Sequence, residues 1–240
     1  MAKEAIVIRE ERGIRYLHFS PAYIQGAMRI ARPYHLVLEY TRAMMAALLI
    51  HPHPRSVLLI GLGSGSMAKF LYRHYPDTQI TVVEINPQVV AVARNFFGLP
   101  DDPARLVIEI ADGSTFVETT KQRFDLIMVD GFDHHARPGL LEGLPFYQAC
   151  RTRLSVHGTM AANLFGNRRG FKTNVARIAS SFDGRILQLH PCEEGNVVVF
   201  GLGVKTPRLS EAELWRRALA LKAATDLDVS FAVGGLCQHP

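Results

Sequence analysis

Residues 57–66 read Val-Leu-Leu-Ile-Gly-Leu-Gly-Ser-Gly-Ser. Four apolar residues able to form a buried strand run into three glycines on alternate positions, and a helical pattern follows from Met67 to His74. Strand, glycine turn and helix in that order form the ligand-approach loop of a doubly wound α/β domain, where missing side chains let a ligand reach backbone. A glycine triplet alone is weak. The second strand, predicted over 79–84, strengthens it by ending in Glu84, 23 residues beyond Gly61. Such folds place there the carboxylate that holds a ribose diol.

The glycine spacing narrows the ligand. A dinucleotide fingerprint, G-x-G-x-x-G, puts its third glycine inside the helix for close packing. Here Gly61 and Gly63 are followed by Gly65, one position early, with Ser64 between them. That spacing suits an S-adenosylmethionine-type ligand, which has no pyrophosphate, better than a dinucleotide.

Length and composition fit this reading. A chain of 240 residues with 48% hydrophobic and 20% charged residues has room for a substantial core and the balance of an ordinary globular protein. No apolar run approaches the roughly 20 residues that cross a bilayer, and the start, Met-Ala-Lys-Glu-Ala, lacks the apolar core of a signal peptide. Three widely spaced cysteines without a CxxC pair point to a reduced cytoplasm and no zinc site. The net charge of +5 is scattered, its densest cluster lying at 167–172. No coherent basic face with stacking aromatics is legible, so neither nucleic acid nor a membrane is expected as partner.

Alternation at Ile6, Ile8, Ile14, Tyr16 and Phe19 around Gly13 predicts a β-hairpin, and Leu36, Tyr40, Met44 and Ala47 predict a helix over 34–50. Strands are then expected at 57–60, 79–84, 105–110, 125–130, 158–164, 186–190 and 196–202. Helices are expected near 66–75, 87–97, 140–154, 170–182 and 210–224, the last opened by a capping box of Ser210 and Glu213. The last two strands are close enough for an antiparallel hairpin. The expected fold is α/β: a doubly wound, mostly parallel seven-stranded sheet, Rossmann-like and of the S-adenosylmethionine-methyltransferase type, with a short N-terminal β-hairpin. Three units are expected: hairpin and helix (1–50), nucleoside-binding catalytic domain (51–205), and C-terminal helix and tail (206–240). The apolar face of the hairpin needs cover, which predicts a homodimer.

Ligands of open α/β sheets sit beyond the carboxyl ends of the strands. This chain places Gly61, Gly63, Ser64 and Gly65 there after the first strand, Glu84 after the second, Asp112-Gly113 after the third and Asp130 after the fourth. Asp133 follows in a turn. Two neighbouring carboxylates suit an organic cation or a metal ion, and they suit amine chemistry in which one deprotonates or orients the attacking nitrogen. His134 and His135 are adjacent, a poor spacing for one metal ion, so they are read as part of a lid over 132–140 and no metal is expected.

These residues carry a resemblance. Gln25, Tyr40, Val-Leu-Leu-Ile-Gly-Leu-Gly-Ser-Gly, Val-Val-Glu-Ile-Asn-Pro, Ala-Asp-Gly and Phe-Asp-Leu-Ile-Met-Val-Asp-Gly-Phe-Asp together resemble the spermidine synthase (polyamine aminopropyltransferase) family over about residues 25 to 165. Asp-Gly-Phe-Asp is the discriminating element, the other motifs being common to many S-adenosylmethionine enzymes. The resemblance implies transfer of an aminopropyl group from decarboxylated S-adenosylmethionine to a small-molecule amine such as putrescine. It implies Asp130 as proton acceptor, Asp133 and Tyr40 at the amine site, Glu84 on the ribose, Asp112 and Gly113 at the adenine, and Gln25 on the nucleoside. Two positions depart from the family pattern. Ser64 stands where the family usually carries an aspartate that holds the aminopropyl ammonium, and Tyr40-Thr41-Arg42 replaces Tyr-His-Glu. Both leave open intact S-adenosylmethionine with methyl transfer, and a non-catalytic nucleoside-binding homologue remains a third reading.

Overall fold

The computed structural model describes residues 6–20, 23–131 and 139–237. Three strands open the chain: β1 (Val7–Glu11), β2 (Ile14–Ser20) and β3 (Tyr23–Arg29), paired antiparallel in that order. Arg12 and Gly13 form the first turn with φ of 50° and 75°, the left-handed pair that a two-residue hairpin needs to match strand twist. The third strand is a correction to the expected lone hairpin. Gly26 in its middle breaks the alternation that would have announced it, and it is there because a Cβ would overlap the Ser64 side chain. β3 therefore lies directly against the glycine loop. Lys69, fully buried, ties the small sheet down by donating to the Phe97 carbonyl at 2.6 Å and resting 3.1 Å from the Met28 sulfur.

Two short helices follow, α1 (Glu39–Met45) and α2 (Ala47–Ile50). The predicted helix thus begins five residues late, because Pro33 holds the preceding stretch in turns.

The main sheet comprises β4 (Ser56–Ile60), β5 (Gln79–Glu84), β6 (Leu106–Ile110), β7 (Phe124–Val129), β8 (Leu154–Phe165), β9 (Ile186–Gln188) and β10 (Asn196–Leu202), in the order β6-β5-β4-β7-β8-β10-β9. β4 to β8 pair in parallel, while β10 runs antiparallel to both β8 and β9. The connecting helices are α3 (Ser66–His74), α4 (Pro87–Phe97), α5 (Gly113–Thr119), α6 (Leu144–Arg153), α7 (Phe171–Ser181), α8 (Glu211–Thr225) and α9 (Val233–Cys237). Val57 and Leu59 of β4 pack with α1 to α4, α8 and α9, whereas Leu58 and Ile60 pack with α5 to α7. The central strands β4 and β7 are covered on both faces, which is why they read as unbroken apolar runs.

α5 was not foreseen: seven residues starting at a glycine carry little helical period, and Asp112 starts the helix by accepting from the Thr115 N–H at 2.9 Å. At α8 the box is half formed. Ser210 accepts from Glu213 N, but the Glu213 carboxylate turns to Arg216 and Arg217. The tail docks through buried Val229, Val233 and Leu236. No helix among the described residues is long and apolar enough to cross a membrane.

Candidate active site

From β4 the chain winds outward to β5 and β6, then returns to place β7 on the other side of β4. The strand ends therefore splay at the β4–β7 boundary, the crevice where open α/β sheets take ligands. A cavity of about 600 Å³ lies there.

The loop after β4 supplies Gly61, Leu62 and Gly63 to its wall. Gly61 has φ of +94°, and a Cβ on it would collide with the carbonyl oxygen of Asp130. Gly65 does not line the cavity; it caps α3 in a left-handed conformation and packs on Leu99. Ser64 is 2% exposed and sits one layer behind, in an adjoining pocket of about 20 Å³ that shares Gln25, Tyr40, Leu62 and Asp130 with the cavity. Its hydroxyl meets that of Ser66 at 2.9 Å, and Ser66 donates to the Ala27 carbonyl of β3. This side pocket is polar and its lining holds one carboxylate, that of Asp130. Arg42 lines neither space.

Glu84 ends β5 with its carboxylate turned back on the glycine loop. One oxygen accepts from Leu62 N at 3.0 Å and the other from Asn86 N at 2.9 Å. Burial pushes its pKa up, and these backbone N–H groups oppose the shift by stabilising the charge. Asp112 and Gly113 line the same wall. Both Asp112 contacts, to the amide and hydroxyl of Thr115, fall on Oδ1.

Asp130 follows β7, its N–H bonded to the Ile60 carbonyl at 2.8 Å so that it stands beside the glycine loop. Asn163 of β8 donates from Nδ2 to Asp130 Oδ1 at 2.9 Å, and the Tyr40 hydroxyl bonds the same carboxylate. Burial raises the Asp130 pKa, with these two donors working against it. Burial, then the neighbouring carboxylate, holds the Tyr40 pKa well above its ordinary value, so the hydroxyl remains a donor. Gln25 of β3 completes this side.

Sequence reasoning missed Asn163, Asn196 and Glu194, which line the cavity from β8, from β10 and from the β9–β10 turn respectively. The one available signal was an amide, Asn163, at the carboxyl end of an apolar strand. Asp133, His134 and His135 lie outside the described residues, with most of the expected lid; Gly139 and Leu140 at its far end, and Leu141 just beyond it, line the cavity. Among the described residues no group of three His, Cys, Asp or Glu side chains is placed to hold a metal ion. Glu84 and Asp112 give one wall of the cavity two carboxylate acceptors, and Asp130 presents a desolvated carboxylate beside the glycine loop.

Comparison with known proteins adds to this geometry. The family profile described as spermine/spermidine synthase domain matches residues 38–164. A polyamine aminopropyltransferase of Neisseria meningitidis serogroup A is 37% identical over 230 residues, spanning 95% of this chain and 88% of the relative. Among solved structures, human methyltransferase-like protein 13 in complex with SAH superposes with a TM-score of 0.72 at 25% identity, covering 79% of this chain and 93% of that one. A spermidine synthase in complex with the transition-state analogue AdoDATO gives a TM-score of 0.70 at 21% identity, covering 98% and 85%, and shows the shared fold.

Proposed function

The chain belongs to the spermine/spermidine synthase family of transferases, and from that premise we propose that it moves an aminopropyl group from decarboxylated S-adenosylmethionine to a polyamine acceptor such as putrescine. The nitrogen lone pair of the acceptor attacks the methylene carbon bonded to the sulfonium. The carbon–sulfur bond breaks with its electron pair going to sulfur, and methylthioadenosine leaves. Asp130 takes a proton from the acceptor's ammonium, which frees the lone pair that attacks. Glu84 takes the ribose hydroxyls on its remaining lone pairs, and Asp112 takes the adenine amino group on Oδ2, with Gly113 beneath the ring and Gln25 along the nucleoside. Tyr40, the exposed rim carboxylate of Glu194 and Asp133 receive the acceptor amine. The observation that carries this reading is the placement of Asp130: a desolvated carboxylate on the wall beside the glycine loop, in a cavity whose described lining contains no Lys, Arg or His. A cationic sulfonium and a polycationic acceptor both favour such a wall, and a base is needed to release the amine lone pair at neutral pH. Incubation with decarboxylated S-adenosylmethionine and putrescine should yield methylthioadenosine and spermidine by mass spectrometry. No methylthioadenosine with any diamine or polyamine would overturn the assignment.

Ser64 supports a second reading, methyl transfer from intact S-adenosylmethionine, because its hydroxyl puts no charge where an aspartate would select the decarboxylated form. Asp130, however, borders the same side pocket and would face the carboxylate of the intact donor. Calorimetry should therefore find decarboxylated S-adenosylmethionine bound about tenfold more tightly, about 1.4 kcal/mol. Tighter binding of the intact form would decide for the methyltransferase.

We further propose a homodimer working in a reducing cytoplasm. Val7, Ile24 and Ile30 leave apolar surface on the small sheet and its end, and the cysteines among the described residues are all free. Light scattering at micromolar concentration should return twice the chain mass, and a monomer there rejects the dimer.

A further inference from the structure

Behind Asp130 the cavity wall holds two carboxamides, Asn163 and Asn196, each 5% exposed. The register of β10 on β8 pairs Asn196 with Phe165 and Val198 with Asn163, so the two asparagines are offset by two residues on one face of the sheet. They are linked in line: Asn196 Nδ2 donates to Asn163 Oδ1 at 2.9 Å, and Asn163 Nδ2 donates to Asp130 Oδ1 at 2.9 Å.

A carboxamide has one accepting and one donating end, and the partner of one end decides which way the other points. With Asn196 donating to its oxygen, Asn163 has only its NH₂ left to turn toward Asp130. Remove that donor and the amide of Asn163 is free to rotate or flip, leaving the carboxylate short of one hydrogen bond in a desolvated wall. We infer that Asn196 is a positioning residue which, acting through Asn163, keeps an N–H donor on the Asp130 carboxylate. The inference gives a place in the reaction to two residues with no part in the nucleoside site, and its functional consequence rests on Asp130 being the proton acceptor.

The charged surroundings sharpen the argument. The titratable groups facing this cavity are Tyr40 from α1, Glu84 from β5, Asp112 ahead of α5 and Glu194 from the β9–β10 turn. None is a cation, so among the described residues the ionised form of Asp130 depends on hydrogen-bond donors alone, those of Asn163 and Tyr40. Losing a donor to the charged form raises a carboxylate pKa. The carboxylate would then take up its proton at higher pH on the acid side.

Carbon-13 NMR on the full chain, with carboxyl-labelled aspartate and the Asp130 signal assigned by its absence in Asp130→Asn, reads this directly and requires no turnover. In Asn196→Leu the Asp130 midpoint should rise by about one pH unit. Asn196→Ser, too short to reach Asn163, should show the same rise if the leucine variant does not fold. An unmoved midpoint in a folded variant overturns the inference. The rate profile separates it from the reaction assignment. With the wild type turning over, the acid limb of kcat should move upward with the NMR midpoint while KM for the sulfonium donor stays put, and a uniform fall at every pH would reduce Asn196 to a packing role. If the wild type turns over no amine, the reaction assignment fails while the NMR midpoints still decide on the relay.

Discussion

Replacing Asp130 by Asn should lower kcat for aminopropyl transfer by about 10²–10⁴-fold, the usual yield of a positioned base, and should at the same time raise the thermal midpoint. The first effect follows from chemistry. In the proposed reaction an amide cannot take the proton of the attacking amine, while Glu84 and Asp112, proposed to hold the nucleoside, are untouched, so calorimetric affinity for methylthioadenosine should remain near wild type. The second follows from the sign of the pKa shift. Burial raises the folded-state pKa of Asp130 above that of the unfolded chain, so its favourable contribution to stability is complete below the ordinary aspartate pKa of about 3.9 and is lost as pH rises through the raised value. At neutral pH the ionised group is a net liability to folding. Asparagine removes the charge and keeps the partners: its oxygen accepts from Asn163 and its NH₂ donates to the Tyr40 hydroxyl. The gain in midpoint should be present at pH 7 and shrink as pH falls toward 4. A variant that keeps a tenth of the wild-type rate would strip Asp130 of its role, and one that melts lower at pH 7 would mean that the carboxylate is stabilised by more than the two donors seen.

The parts of this molecule legible in the sequence are those fixed by local periodicity. β4 and β7 are apolar runs because both faces are covered, and a chain so patterned that breaks at Gly61 or Asp130 has few other ways to fold. Glu84 was legible for the same reason, being the first charge after a buried strand. Whatever depends on register between distant segments was not. Asn163 and Asn196 lie 33 residues apart and meet only because β10 is reversed against β8; neither residue carries a local mark of the other. Gly26 weakened β3 as a strand signal, yet its reason is the side chain of Ser64 in another element. Ser64 itself reads as a residue of the ligand loop, while the fold turns it behind that loop into a side pocket. Asp112 reads as an adenine ligand and is also the cap of a helix too short to announce itself. In each case the residue type was visible and the partner was not.

Gly61→Ala should be the most damaging single-methyl change in the site, because it meets two independent obstacles. The backbone at Gly61 has φ of +94°, a region that residues with a Cβ rarely enter. The added carbon would also overlap the carbonyl oxygen of Asp130, which is main chain and cannot swing aside as a side-chain tip would. Nor can the two segments simply part. Gly61 N is tied to the Val83 carbonyl at 2.9 Å and Asp130 N to the Ile60 carbonyl at 2.8 Å, so the ends of β4, β5 and β7 are stitched together at this point. Relief requires pushing Asp130 away from the glycine loop, which in the proposed reaction would move the base relative to the sulfonium carbon. Gly98 provides the control. It caps α4 with φ of +64°, but a Cβ there meets nothing within 4 Å. Gly98→Ala should therefore show the conformational penalty alone, about 1–2 kcal/mol, with transfer activity retained. Gly61→Ala should lose about 3–4 kcal/mol, lowering the melting midpoint by roughly 6–16 °C for a chain of this size, and should lose most activity even well below its own midpoint. Thermal melts and initial rates of the two variants side by side provide the measurement. If they melt together, the close approach between Gly61 and Asp130 is not what holds the base in place, and the geometric basis for the whole site has to be sought elsewhere.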